Sequence, residues 1–214
     1  MRTIQKGKNP KILILSGTHG NEYVVIDLIK KYIKEKGRKL PSFVFVPKVS
    51  PSAVKAKTRR NMYGNDLNRS FLEGTKDKEA LSLMNFLRKN NFALCLDFHE
   101  DLDLKEFYFY DSGRLPYRDL DGFLSGIEDS GIGLFTGIDD PKDPELGYDM
   151  VRGYRSFLRD SADPLAGTLS DWSFISNTIK RMIVLEIPSK CDLKEKYKLV
   201  ELIFENLLPK LYNT

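Results

Sequence analysis

Five short apolar runs constrain the fold of this chain more than any other feature: KILILSG (11–17), SFVFVPK (42–48), FALCLDF (92–98), FYFY (107–110) and MIVLEIP (182–188). Several lack the polar alternation of a strand with one wet face, so both of their faces must be covered. Between the first two runs lies EYVVIDLIKKYIKEKG (22–37), where Val25, Leu28, Ile29, Tyr32 and Ile33 recur at helical spacing and Gly37 supplies a stop. Helices are also predicted over KDKEALSLMNFLRKN (76–90) and LKEKYKLVELIFENLLPKL (193–211). Buried strands alternating with amphipathic helices predict an α/β fold, a mixed, largely parallel β-sheet sandwiched by helices. A chain of 214 residues is long enough for one sizeable core and short for two, so a single domain over 1–214 is expected. The stretch 111–168 is rich in Gly, Pro and Asp and reads as loops with a short helix, shaping a cleft rather than the core.

Composition narrows the function classes. The +4 net charge comes from 34 basic and 30 acidic side chains scattered along the chain. The densest basic cluster, KAKTRR (55–60), has no interleaved aromatic platform, so no nucleic-acid partner is expected. Cys95 and Cys191 provide neither a disulfide framework nor a paired-cysteine metal knuckle. No window approaches a membrane span and MRTIQKGKNP precedes no signal-like apolar stretch, so a cytoplasmic protein without a membrane partner is expected.

In sheets of this type, sites form beyond the carboxyl ends of the strands. Four places qualify: THGNE (18–22), NDLNRSF (65–71), DFHED (97–101) and Glu186. The chain has only two histidines, and each falls at one of these strand ends. His19 and Glu22, three apart, share one face of a single turn, which suits two ligands of one ion. On their own they also fit a loop histidine and an acid favoured by a helix N-terminus. With His99 they form two imidazoles and a carboxylate with an open fourth position, the catalytic zinc arrangement. Asp97, two residues before His99 on the same strand face, either braces that imidazole or caps a strand end. In TRRNMYGNDLNRSF (58–71), the arginines suit a carboxylate or an oxyanion, or else form surface salt bridges to Glu73 or Asp77. Glu186 lies within an apolar strand, where an ionised carboxylate is costly unless paired. It is either a general base or an acid turned to solvent.

The ordered set HGNE, NDLNRSF, DFHE and VLEIP resembles the zinc carboxypeptidase (carboxypeptidase A-like) superfamily, including its succinylglutamate desuccinylase/aspartoacylase branch. GTLSDWSFISNTIKRMIVLEIP (167–188) extends the likeness, which spans about residues 10 to 190. The resemblance implies one zinc ion per chain on His19, Glu22 and His99, with Glu186 as the acid/base. It implies Asn68 and Arg69 as the grip on a substrate carboxylate and Asp66 as the brace of His19. An arginine upstream in that loop would polarise the scissile carbonyl, with Arg60 the first choice and Arg59 the second. Tyr148 and Tyr154 are candidates for a substrate-binding tyrosine. The expected activity is that of a metallocarboxypeptidase acting on small peptides; the alternative is a deacylase of N-acyl amino acids.

Overall fold

The computed structural model describes residues 1–139, 147–157 and 162–212. In chain order the elements are β1 (Ile4–Lys6), β2 (Ile12–Ser16), α1 (Val24–Lys36), β3 (Phe43–Val46), α2 (Pro51–Ala56), α3 (Lys78–Arg88), β4 (Phe92–Asp101), β5 (Tyr108–Asp111), α4 (Tyr117–Glu128), β6 (Gly137–Ile138), β7 (Asp149–Met150), β8 (Tyr154–Ser156), α5 (Leu169–Ile175), β9 (Ile179–Pro188) and α6 (Leu193–Leu202). A π-helical stretch, Ile203–Leu207, links α6 to α7 (Leu208–Tyr212). The main sheet has seven strands in the order β1-β3-β2-β4-β9-β5-β8. Its centre, β3-β2-β4-β9, is parallel, whereas β1 and β5 run antiparallel to β3 and β9. The expected mixed, largely parallel sheet between helices is therefore present.

Strand alternation divides the core in two. Ile12 and Ile14 of β2 and Leu94, Leu96 and Phe98 of β4 face one cluster, with residues of α1, α4 and α6. Leu13, Leu15 and Cys95 face the other, with residues of α3 and α5. Helix α1 buries Val25, Ile26, Ile29 and Tyr32 along one stripe, and each such side chain contributes about 1.5–3 kcal/mol.

Residues 140–146 and 158–161 of the stretch 111–168 lie outside the described residues; in the rest, the expected short helix departs from expectation by joining the core. Helix α4 places Leu120, Phe123, Leu124 and Ile127 wholly inside the first core cluster. That spacing is helical, but Asp119, Asp121, Gly122 and Gly126 between the apolar positions make the segment look like loop. Strands β1 and β8, helix α2 and the small β6-β7 ribbon are too short to carry a periodic signal in the sequence.

Candidate metal centre

The parallel centre of the sheet brings the chemistry together because β2, β4 and β9 all end on the same side. After β2 the chain makes a tight loop, 17–23, before α1. Gly20 permits it: a Cβ there would lie 1.9 Å from the carbonyl oxygen of Ala53 in α2. The loop turns His19 and Glu22 inward, and both are buried. On β4, Asp97 and His99 point to one face, and His99 is in register with Glu186 of β9. Tyr108 of β5 flanks Glu186 on the other side.

Nδ1 of His19 lies 2.6 Å from Oε1 of Glu22, and Nδ1 of His99 lies 2.9 Å from Oε2 of the same carboxylate. One ligand atom from each of His19, Glu22 and His99 falls within 4.8 Å of the others. The opposite ring nitrogens face acids. Nε2 of His19 is 3.0 Å from Oδ1 of Asp66, and Nε2 of His99 is 3.3 Å from Oδ2 of Asp97, an ion-pair contact without hydrogen-bond alignment. In His19 a proton held on Nε2 by Asp66 leaves the Nδ1 lone pair directed to the centre, as a metal-binding imidazole requires, and the Asp97 carboxylate beside Nε2 of His99 favours the same tautomer electrostatically. The donor set therefore fits a divalent cation of the zinc type.

Electrostatics agree with this geometry. Burial works against the charged form of both imidazoles. Asp66 and Glu22 nevertheless raise His19, and Asp97 and Glu22 raise His99 well above the usual histidine value. Burial likewise opposes ionisation of Glu22, but the two histidines hold it below the ordinary range. Glu186 responds in the opposite sense. Enclosed by protein and opening only in part onto the cleft, it is raised to about 8, chiefly by burial, with Glu22, Asp101 and Asp97 adding repulsion and His99 opposing.

The centre opens into a cleft of about 630 Å³ whose lining includes Arg59, Asn68, Arg69, Asp101, Tyr108 and Glu186. Asp66 caps the short 3-10 helix Leu67–Arg69 by accepting the Asn68 amide, and it also receives Nε and Nη2 of Arg59, each at 2.9 Å. Asn68 Oδ1 accepts the amide of Leu169 at the start of α5, which leaves its Nδ2 as the donor end. Glu73 and Asp77 are engaged elsewhere, with Arg88 and Trp172 and with Asn61 and Asn65 respectively.

Three expectations need revision. Arg60 does not line the cleft: it pairs with Asp66 in an isolated antiparallel bridge and its guanidinium donates to the carbonyl of Gly64, while Arg59 points into the site. The Arg60 guanidinium is drawn to Gly64, whereas Asp66 holds that of Arg59 at the cleft. Tyr154 is buried, with its hydroxyl on Asp111 and the Leu115 amide, facing a separate cavity. Tyr148 packs edge-on against Tyr110, beside Asp139 at the cleft, rather than lining it. The cleft tyrosine is Tyr108, whose hydroxyl donates to Asp101 at 2.6 Å. It lies in the FYFY run, whose pattern signals a strand but no site.

Residues 8–135 match the family model of the succinylglutamate desuccinylase/aspartoacylase catalytic domain. No curated protein matches the chain. Among solved structures, a candidate metallopeptidase from Shewanella denitrificans is similar at 18% identity and a TM-score of 0.70, covering 98% of this chain and 77% of its own. A second, from Shewanella amazonensis, gives 18%, 0.71, 99% and 80% in the same order. A metallo-carboxypeptidase from Burkholderia cenocepacia is similar at 16% identity and 0.67, covering 99% of this chain and 60% of its own. At these identities the likeness is one of fold. Among the described residues no helix is long and apolar enough to cross a membrane.

Proposed function

The chain belongs to the succinylglutamate desuccinylase/aspartoacylase family, and from that membership we propose that it is a zinc-dependent hydrolase cleaving an amide bond next to a free carboxylate. The observation that carries this reading is the register of Glu186 with His99 beside the His19–Glu22–His99 set, at the floor of a cleft holding Arg59, Asn68 and Arg69. His19, Glu22 and His99 would hold one zinc ion. When bound, the ion supplies Lewis acidity, acidifying water and polarising a carbonyl.

The chain's own residues do the rest. Glu186 takes a proton from the attacking water at a carboxylate oxygen and passes it to the leaving nitrogen, a task suited to a carboxyl raised toward neutrality. Arg59 donates to the oxyanion that develops on the carbonyl. Arg69, with Nδ2 of Asn68, holds the carboxylate of the amino acid being released. Asp66 and Asp97 keep the imidazoles oriented.

The favoured substrate is a small peptide, giving a metallocarboxypeptidase. The cleft also carries Asp101, Asp103 and Asp139, a lining that suits an amino group beyond the scissile bond. Family membership favours the second reading, a deacylase of N-acyl amino acids. Parallel assays separate them: short peptides with a free carboxyl end, the same peptides amidated, and N-acetyl and N-succinyl amino acids, each with the zinc-loaded and the chelated enzyme. Release of the last residue from free but not amidated peptides is expected. Turnover of N-acyl amino acids alone would give the second reading, and no metal-dependent turnover of any would sink both.

A further inference from the structure

Glu100 follows His99 on β4 but points to the opposite face, where Phe98 joins the core cluster beneath α1. Its carboxylate and the ammonium of Lys196 on α6 are 2.8 Å apart, with side chains only 2% and 5% exposed. The same carboxylate accepts the amides of Val24 at 2.9 Å and Val25 at 3.3 Å, the first turn of α1. That helix has no cap of its own, because the N-cap residue Tyr23 makes no side-chain hydrogen bond. The backbone amide of Glu100 in turn reaches Oε2 of Glu22 at 3.4 Å. Residue 100 therefore touches the metal-facing carboxylate directly and grips the backbone that follows it.

We propose that Glu100 and Lys196 are a positioning pair, tying the loop that carries Glu22 to the strand that carries His99 so that the ligand set is assembled before metal arrives. This rests on the zinc-hydrolase reading above. The carboxylate supplies the missing helix cap, and Lys196 neutralises a charge that could not otherwise remain buried. Both side chains are buried away from solvent, and each acts through Glu22.

A buried ion pair can often be replaced by apolar residues without loss of folding stability, whereas removing one partner strands the other. The test is therefore Glu100→Leu/Lys196→Met in the full chain. Zinc affinity is measured by competition with a chromophoric chelator, and the urea midpoint is measured on metal-free protein. The expected result is a folded variant whose midpoint is lowered by loss of the α1 cap, with zinc affinity lower by about 10–100-fold, the usual cost of losing a group that orients a ligand. If the pair does not fold, Glu100→Gln/Lys196→Met keeps an amide oxygen for Val24 and Val25 and should show a smaller loss in the same direction. Zinc affinity equal to wild type in the folded variant would overturn the positioning role and leave the functional reading intact. A wild-type protein that binds no zinc would overturn both.

Discussion

Nε2 of His19 lies 3.0 Å from Oδ1 of Asp66, 47 positions further along the chain. The other oxygen of Asp66 receives Arg59, so one carboxylate both orients a metal-facing imidazole and holds a cleft guanidinium in place. Burial opposes its ionisation, but His19 and Arg59 keep it well below the ordinary carboxylate range. Asp66→Ala should lower zinc affinity by about 10–100-fold. Chelator competition measures this, and unchanged affinity would show that the contact is incidental.

Glu186→Gln should retain zinc stoichiometry and lose about 10²–10⁴-fold in kcat, since the amide cannot accept the proton. Elemental analysis beside steady-state rates separates the two effects. A variant with near wild-type kcat would remove Glu186 from the mechanism.

Glu186 also makes a prediction for the metal-free protein. Burial raises its folded value to about 8 from the ordinary 4.5, so between those values the folded state keeps a proton that the unfolded chain has released. Stability must then fall as pH rises through that window. The raised histidines contribute a loss in the same direction, while the lowered Glu22 and Asp66 lose their contribution only in acid. The comparison with Glu186→Gln isolates the carboxyl: the stability of the variant relative to wild type should increase from pH 5 to pH 8. Parallel urea midpoint curves for the two proteins would refute the assignment.

Arg59 and Arg60 should part company. Arg59→Ala is expected to lower kcat by on the order of a hundredfold or more, as for loss of an oxyanion donor. Arg60→Ala should leave kcat near wild type, because its guanidinium is committed to Gly64 outside the cleft. Equal losses in the two variants would contradict the placement.

Gly167 is packed against the segment that carries Asn68 and Arg69. It has φ +68°, and a Cβ there would lie 2.6 Å from the carbonyl oxygen of Arg69. Gly167→Ala should cost about 1–3 kcal/mol of stability and raise KM for carboxylate substrates more than it lowers kcat. Thermal denaturation and a kcat–KM split test this; a stable variant with unchanged KM would show that the loop adapts.

The sequence by itself determined the sheet centre and singled out the three candidate ligands. Runs such as ILILS and the β4 and β9 segments are apolar on both faces, and only a sheet covered on both sides can bury them. With two histidines in the chain, each at a strand end, few arrangements of imidazole ligands were available. Tertiary structure decided which neighbours serve them. Arg59 rather than Arg60, and Tyr108 rather than Tyr148 or Tyr154, line the cleft because of partners distant in sequence, such as Asp66 for Arg59 and Asp111 for Tyr154, which local spacing does not specify. The pairing of Glu100 with Lys196 across 96 positions, and the entry of α4 into the core, were likewise set by packing between elements distant in sequence. Periodicity reports which face of an element is apolar. Which charged group meets another depends on how those faces are brought together, and only the assembled sheet and its helices settle that.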